Sequence, residues 1–421
     1  MKILILHRVP YPRIEYHRGI DHDLHDVTYI GKQSAIDTLP ADLRCQSVVR
    51  AGLNSAFDET LAWLAESPQS FDRVISMSEY ELLDAARLRE VLNIEGASLH
   101  SVTLARNKLE MKAAVQARHL RVPRFMSLER YMALQGHVPW TAATVLKPHS
   151  GASSMDVSIH QQPARTFDEI RHKISGLALR VDEFQVEEYI SGPIRHFDGL
   201  VLNGRVITLL SSEYVGTCLD YMERGQPLGS WHIETTASMH EWVSAALQAV
   251  QIYNGSFHLE AIMADDEPVF LEVGNRVGGA DVVATYELAT GIHLPSLELR
   301  IHVDGELDLS AFSRQQNELG FGWFVFPGHT HPERIYQGLD GAEELRASEH
   351  VVQWNELSVG ALLPEHVTYS AFEAPLAGIV KSAAPPADPG MDAIVVFTCA
   401  PGAQPYLCGV TPTSFNKANN P

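Results

Sequence analysis

Two glutamates, Glu260 and Glu272, sit in a stretch of chain that can fold in very few ways. The runs FHLEAIM and VFLEV each set one acidic residue among apolar neighbours, and an acidic turn separates them. That pattern predicts two adjacent antiparallel strands presenting both carboxylates side by side on one face. Like charges held so close are costly unless a cation lies between them, and hard oxygen ligands suit Mg²⁺. Asn275-Arg276-Val277-Gly278-Gly279 follows at the same end and adds an amide, a guanidinium and a flexible turn. Such a set suits phosphoryl transfer, where charge stabilisation is most of the catalysis. Taken alone, the two glutamates read equally well as solvated hairpin residues, so the rest of the chain must decide.

The 421 residues are too many for one core and point to two or three packed domains. A net charge of −20 argues against binding nucleic acid or an anionic membrane through bulk electrostatics, and it leaves room for a local basic pocket. Cys45, Cys218, Cys399 and Cys408 show no metal-type spacing and read as reduced thiols. No apolar run approaches a membrane span, and MKILILHRV runs directly into a strand pattern, so a cytoplasmic protein is expected.

KILILH, HDVTYIG and FDRVISMSE are strand-like runs separated by helical patterns, which suggests a small Rossmann-like sheet over residues 1–100. No Gly-x-Gly-x-x-Gly follows the first strand. His17, His22 and His25 with Asp21, Asp23 and Asp26 lie in an irregular polar loop and are not read as a metal cluster. Lys108 and Lys112 fall on a helix that Val122-Pro123 follows; either alone reads as a solvated helix lysine. A β-rich run then delivers Lys147 to the small-residue loop Ser150, Gly151, Ser153, Ser154. There, backbone N–H groups and hydroxyls can approach phosphate oxygens. Glu187-Glu188-Tyr189-Ile190 sits where a strand leaves one unit for the next, and Asn203-Gly204 is a strong hairpin turn.

Asn107-Lys108, VLKPHSGASS, QVEEYISG, DGLVLNGRV, HLEAI and FLEVGNRVGGADVV, in that order, resemble the ATP-grasp superfamily over residues 74–302. Within it, GGADVVATYELATGIHLPSLELRIHVDG is most similar to the carboxylate–amine ligases that join amino acids into dipeptides. The resemblance implies a mixed α/β (α+β) fold of three parts. These are a Rossmann-like domain (1–100), an ATP-grasp domain (101–302, with a lid at about 136–205) and a β-rich C-terminal subdomain (303–421). It also implies ATP and Mg²⁺, with Mn²⁺ as a substitute. Lys108 and Lys147 would contact phosphates, Ser150–Ser154 would cover them, and Glu187 and Ile190 would meet adenine. Glu260 and Glu272 would hold one metal ion or two, and Arg276 would stabilise the transferring group. Two departures stand out. The metal-binding Asn of Glu-x-Asn-Pro-Arg is Gly274 here, which leaves that position to Asn275 one residue later or to water, and Ser191-Gly192-Pro193-Ile194 lacks the ribose-binding Glu.

The expected reaction is amide formation through an acyl phosphate, with small amino or carboxylic acids as partners and a homodimer left open. Leu209–Thr236 reads as a polar insertion that supplies substrate-selecting residues, namely Glu213 for an ammonium and Trp231 or His232 for a side-chain wall, with Gly279 nearby. A lone loop Trp is also a common satellite core residue. His329 and His331 in PGHTHPE read as a turn, and the tail Thr413–Pro421 as disordered. Two other readings remain: a carboxylase-like or purine-pathway ATP-grasp enzyme, and a catalytically inactive nucleotide-binding regulator.

Overall fold

The computed structural model describes residues 1–177, 179–307, 320–382, 391 and 394–399. Strands β1 (Lys2–His7), β2 (Asp26–Gly31), β3 (Gln46–Val49) and β4 (Arg73–Ser76) form a parallel sheet in the order β3-β2-β1-β4. β1 can be almost wholly apolar because both its faces are covered. Leu4 and Leu6 pack with Ala56, Ala85 and Leu88 on one side, and Ile3 and Ile5 with Tyr16, Leu299 and Val303 on the other. The carboxyl end of β4 delivers Glu79 one turn beyond the sheet.

A second sheet is antiparallel in the order β5-β8-β6-β7, from β5 (Phe125–Ser127), β6 (Thr144–Pro148), β7 (Ser158–His160) and β8 (Phe184–Glu188). This small sheet begins before the expected lid boundary near 136. It also ends before 205, because β9 (Ile194–Leu202) belongs to the next sheet. Gly192-Pro193 causes the break. Gly192 takes φ +155, and a Cβ there would lie 2.0 Å from the Met263 carbonyl oxygen, while proline cannot donate to a ladder.

The third sheet contains eight strands in the order β13-β12-β9-β10-β11-β14-β17-β16. They are β9, β10 (Arg205–Val215), β11 (Leu228–Ile233), β12 (Gly255–Ala264), β13 (Glu267–Gly274), β14 (Gly320–Val325), β16 (Val351–Glu356) and β17 (Leu376–Ser382). Strands β15 (Ile335–Asp340) and β18 (Val395–Cys399) pair separately. Thus much of the expected C-terminal subdomain continues the large sheet. Leu209–Thr236 is likewise no loop insertion: it is β10, the helix Cys218–Arg224 and β11. Its serines and tyrosine misled the reading because one face of this sheet is polar.

The two faces of the large sheet divide by strand alternation. Phe197, Val201, Phe257, Leu259, Ala261, Phe270 and Val273 pack into one core with Met111 and Val115 of the helix Lys108–Ala117 and with the helix Ala237–Ala249. The intervening residues, His196, Asp198, His258 and Glu260, point to the other face. His329 and His331 do lie at a turn, with the His329 ring against the Met222 carbonyl. His22 is satisfied by Ile20 and Tyr29, and no metal-type cluster is found in that loop among the described residues. No described helix is long and apolar enough to cross a membrane. The Thr413–Pro421 tail and Cys408 lie outside the described residues.

Candidate active site

The hairpin β12–β13 turns through Asp265 and Asp266, both at positive φ (56° and 62°), and pairs Ala264 with Glu267. Counted regularly from that turn, Glu260 would face Leu271, and Glu272 would project from the opposite side. A β-bulge between Glu260 and Ala261 shifts the register by one, so Glu260 lies directly opposite Glu272. The bulge therefore puts both carboxylates on one face, at the floor of a cavity of about 770 Å³ between the small and large sheets.

Three lysines lie beside this pair, one bound to Glu272 and two to Glu187. Asn107 caps the helix Lys108–Ala117, its side chain accepting from the Leu109 and Glu110 N–H groups. This fixes Lys108, whose Nζ reaches the Gly151 carbonyl (2.7 Å) and Glu272 Oε2 (3.2 Å). One turn on, Lys112 is fully buried rather than solvated, and its Nζ lies 2.9 Å from Glu187 Oε2. Lys147 takes the other Glu187 oxygen at 2.7 Å. Burial drives Lys112 down to about 7, Lys147 and Lys108 act the same way, and Glu187 opposes them. Burial pushes Glu272 up, but Lys108 and Lys147 outweigh it and hold the carboxyl at about 2.

Both Glu187 oxygens are thus occupied by lysines and by Gln185, so this side chain is not free to meet a base. Glu188 pairs with Arg124 at 2.6 Å, and the Tyr189 N–H donates to Ala143. The next N–H, of Ile190, makes no hydrogen bond among the described residues, and Ile190 lines the cavity. Gly151 and Ser154 line it too, while Ser150 and Ser153 do not; Ser153 and Ser154 turn the loop at φ 58° and 55°. Arg276 Nε is bound to Glu79 Oε2 (2.5 Å), Glu79 also pairs with Arg106, and Arg106 donates to the Ser150 carbonyl (2.8 Å).

No family model matches the chain. An L-arginine-specific L-amino acid ligase of Bacillus subtilis is 23% identical over 292 residues, 65% of this chain and 67% of that protein. The crystal structure of an L-amino acid ligase from Bacillus licheniformis superposes with a TM-score of 0.67 at 20% identity, over 91% of this chain and 93% of that one. This is the ATP-grasp fold. The biotin carboxylase domain of Hydrogenobacter thermophilus 2-oxoglutarate carboxylase, solved with MgADP and bicarbonate, shares it at TM-score 0.63 and 14% identity, over 91% of this chain and 86% of that one.

Several expected site residues stand apart from the carboxylate pair. Asn275 donates its amide to the Ser256 (2.8 Å) and Asn254 (3.2 Å) carbonyls at the start of β12, which holds the side chain there. Tyr214 bonds Glu260, so its neighbour Glu213 projects from the opposite face, where Arg195 neutralises it at 2.9 Å. Trp231, the register partner of Glu213, shares that far face and is buried against Gly320 and Gly322 of β14. His232 pairs with Ser212 on the near face; burial and His196 push it down to about 4. Gly279 stands in open space before the helix Val282–Thr290. A hollow of about 750 Å³ beside residues 17–25 contains none of these groups.

The sequence reading passed over a polar network on the site face. Asp198 accepts from His196 Nδ1 (2.5 Å) and His258 Nδ1 (2.8 Å), and His196 Nε2 meets Ser230 Oγ at 2.5 Å. His258 Nε2 lies 3.4 Å from Glu260 Oε1, the same oxygen that accepts from the Tyr214 hydroxyl at 2.8 Å. Burial would lower His258, but Asp198 and Glu260 outweigh it and raise the imidazole to about 10. Asp198, although buried, is held well below the usual carboxylate range by the two imidazoles. A signal existed: His-x-Asp in β9 and His-x-Glu in β12 place polar residues at the spacing of one strand face.

Proposed function

We propose that the chain is an ATP-dependent carboxylate–amine ligase that joins an amino acid, or another small carboxylic acid, to an amino acid and releases ADP and phosphate. The observation that carries this reading is the directly opposed Glu260–Glu272 pair, facing buried Lys108 and Lys147 across one cavity. The donor set fits a hard divalent cation. Glu260 Oε2 and Glu272 Oε1 have no hydrogen-bond partner among the described residues, and both residues line the cavity. Mg²⁺ or Mn²⁺ held there supplies charge neutralisation at the phosphates.

The chain's own residues do the rest. Lys108 and Lys147 offer ammonium groups to phosphate oxygens, and the Ser150–Ser154 loop covers them and excludes water. With the Glu187 carboxylate committed to lysines, adenine recognition falls to the hinge backbone at Ile190. Glu79 aims Arg276, which stabilises charge on the group in transfer. A substrate carboxylate oxygen attacks the γ-phosphorus and ADP leaves. The acceptor amine then attacks the acyl carbon, phosphate leaves, and the amine loses its proton.

The test is ATP consumption with Mg²⁺ against a pairwise panel of amino acids and small carboxylic acids, with identification of the nucleotide product. ADP and phosphate released only with particular pairs are expected. AMP and pyrophosphate, strict dependence on bicarbonate, or a need for a phosphorylated acceptor would each contradict the proposal. Glu272→Gln should lower turnover by at least a thousandfold with the fold retained, as read by circular dichroism; near-normal ADP release would remove the carboxylate pair from the mechanism.

A further inference from the structure

Asp281 sits where a helix cap belongs and does not cap. It occupies the N-cap position of the helix Val282–Thr290, yet its side chain accepts no N–H of that helix. The residue is 8% exposed, and its carboxylate has no hydrogen bond or ion pair among the described residues. Neither oxygen is sealed from solvent, so both open on a narrow space. Burial pushes this carboxyl up, and Arg13 offsets that only in part. A buried carboxylate without a partner is costly, which sets Asp281 apart from an ordinary surface acid.

The chain that leads to it is constrained as well. Gly278 has no room for a Cβ, which would lie 2.7 Å from Val282 and 2.8 Å from Asp198 Oδ1. Ala280 is held at φ 50°, a left-handed conformation that is unfavourable for a residue with a Cβ and that persists only where its surroundings impose it. Gly279 borders open space, since a Cβ there would meet nothing within 4 Å. Ala280 and Val282 pack with Tyr369 and Ala371. From the first domain, Arg13 donates to Ser370 Oγ at 2.5 Å and lies over the Phe372 ring at 5.3 Å. Its other guanidinium N–H groups make no hydrogen bond among the described residues. From this geometry we infer that Asp281, five residues beyond Arg276, is a substrate-binding residue whose carboxylate receives a protonated amine of a small acid. An ammonium held by a carboxylate has no lone pair to attack with, so this nitrogen is not the one that forms the new bond. Asp281 thus selects acids that carry an amino group over plain carboxylic acids. The inference rests on the reading of the chain as a ligase of small acids.

The experiment is calorimetric binding of L-lysine, L-norleucine, 6-aminohexanoate and hexanoate to the full chain with Mg²⁺ and ADP, in wild type and Asp281→Asn. These acids share a chain length and differ only in their amino groups. The expected result is that the substitution weakens an ammonium-bearing acid by at least about tenfold and leaves hexanoate unchanged. A loss for L-norleucine alone of the two singly aminated acids places the α-ammonium on Asp281; a loss for 6-aminohexanoate alone places a side-chain ammonium there. The Tm of Asp281→Asn should hold or rise, because a buried charge without a partner is removed. A lowered Tm with all four affinities unchanged overturns the inference, making Asp281 a structural counter-charge to Arg13. Equal weakening of hexanoate, or no binding of any of the four acids, also overturns it. ATP consumption with the same acids and an amine partner separates this result from the ligase reading. ADP release indifferent to Asp281→Asn refutes the inference and leaves the ligase standing. Binding that depends on Asp281 without any nucleotide turnover upholds the ammonium subsite and counts against the ligase.

Discussion

Glu187 illustrates how a single side chain can hold two cations in place. Both its oxygens are bound by buried lysines, so Glu187→Gln leaves Lys112 and Lys147 facing each other with their counter-charge gone. Breaking a buried pair in this way costs about 3–5 kcal/mol, which should be visible as a lowered urea midpoint at pH 7. The pH dependence has a definite sign. Burial works against the charged form, but the two lysines hold the Glu187 carboxyl below its ordinary 4.5. Its stabilising contribution is therefore full above pH 4.5 and is lost as pH falls below that value. The variant should lose part of the acid limb of the stability curve; an unchanged slope between pH 5 and 3 would show that the pair is not formed. Lys112 also marks a limit of the sequence. Helical periodicity places it on the same helix as Lys108, but only the tertiary position of β8 shows that it is buried and paired.

At the scale of elements, the β12–β13 hairpin does most to define the site. Its two-residue turn sets Asp265 and Asp266 in left-handed conformations that favour glycine or asparagine. Asp266→Gly should stabilise the protein by about 0.5–1 kcal/mol, read as a rise in Tm, with register and activity kept; a fall in Tm would contradict the turn geometry. The pairing of Glu260 with Glu272 was legible because apolar neighbours frame each acid, although the bulge that achieves it was not. The His196, Asp198 and His258 network escaped notice because each residue sits inside a run that reads simply as strand. Glu213 and Trp231 were misplaced for a related reason: once Leu209–Thr236 is recognised as paired strand, alternation alone sends them to the far face. The helix Lys108–Ala117 supplies another test. Asn107→Ala removes its cap, costs about 1 kcal/mol, and loosens Lys108, so the KM for ATP should rise as Tm falls; a lowered Tm with unchanged KM would make Asn107 a purely structural residue.

Across the whole molecule, the parallel sheet of β1–β4 is joined to the candidate site through Glu79, which binds both Arg276 and Arg106, and through Arg106 to the Ser150–Ser154 loop. That link was unreadable from sequence, since Glu79 lies 197 positions from Arg276 and begins what looks like an ordinary helix. Glu79→Gln should lower kcat at least tenfold and, because it leaves Arg276 and Arg106 without their shared carboxylate, also lower Tm; an unaltered kcat would show that Arg276 positions itself. The central claim is that this fold activates a carboxylate as an acyl phosphate. Its most direct measurement is turnover with a substrate acid carrying ¹⁸O in its carboxylate, followed by mass analysis of the released phosphate. One ¹⁸O atom in the phosphate, lost together with ADP release in Glu272→Gln, is the predicted result. Phosphate free of label, or label recovered in AMP, would contradict the account.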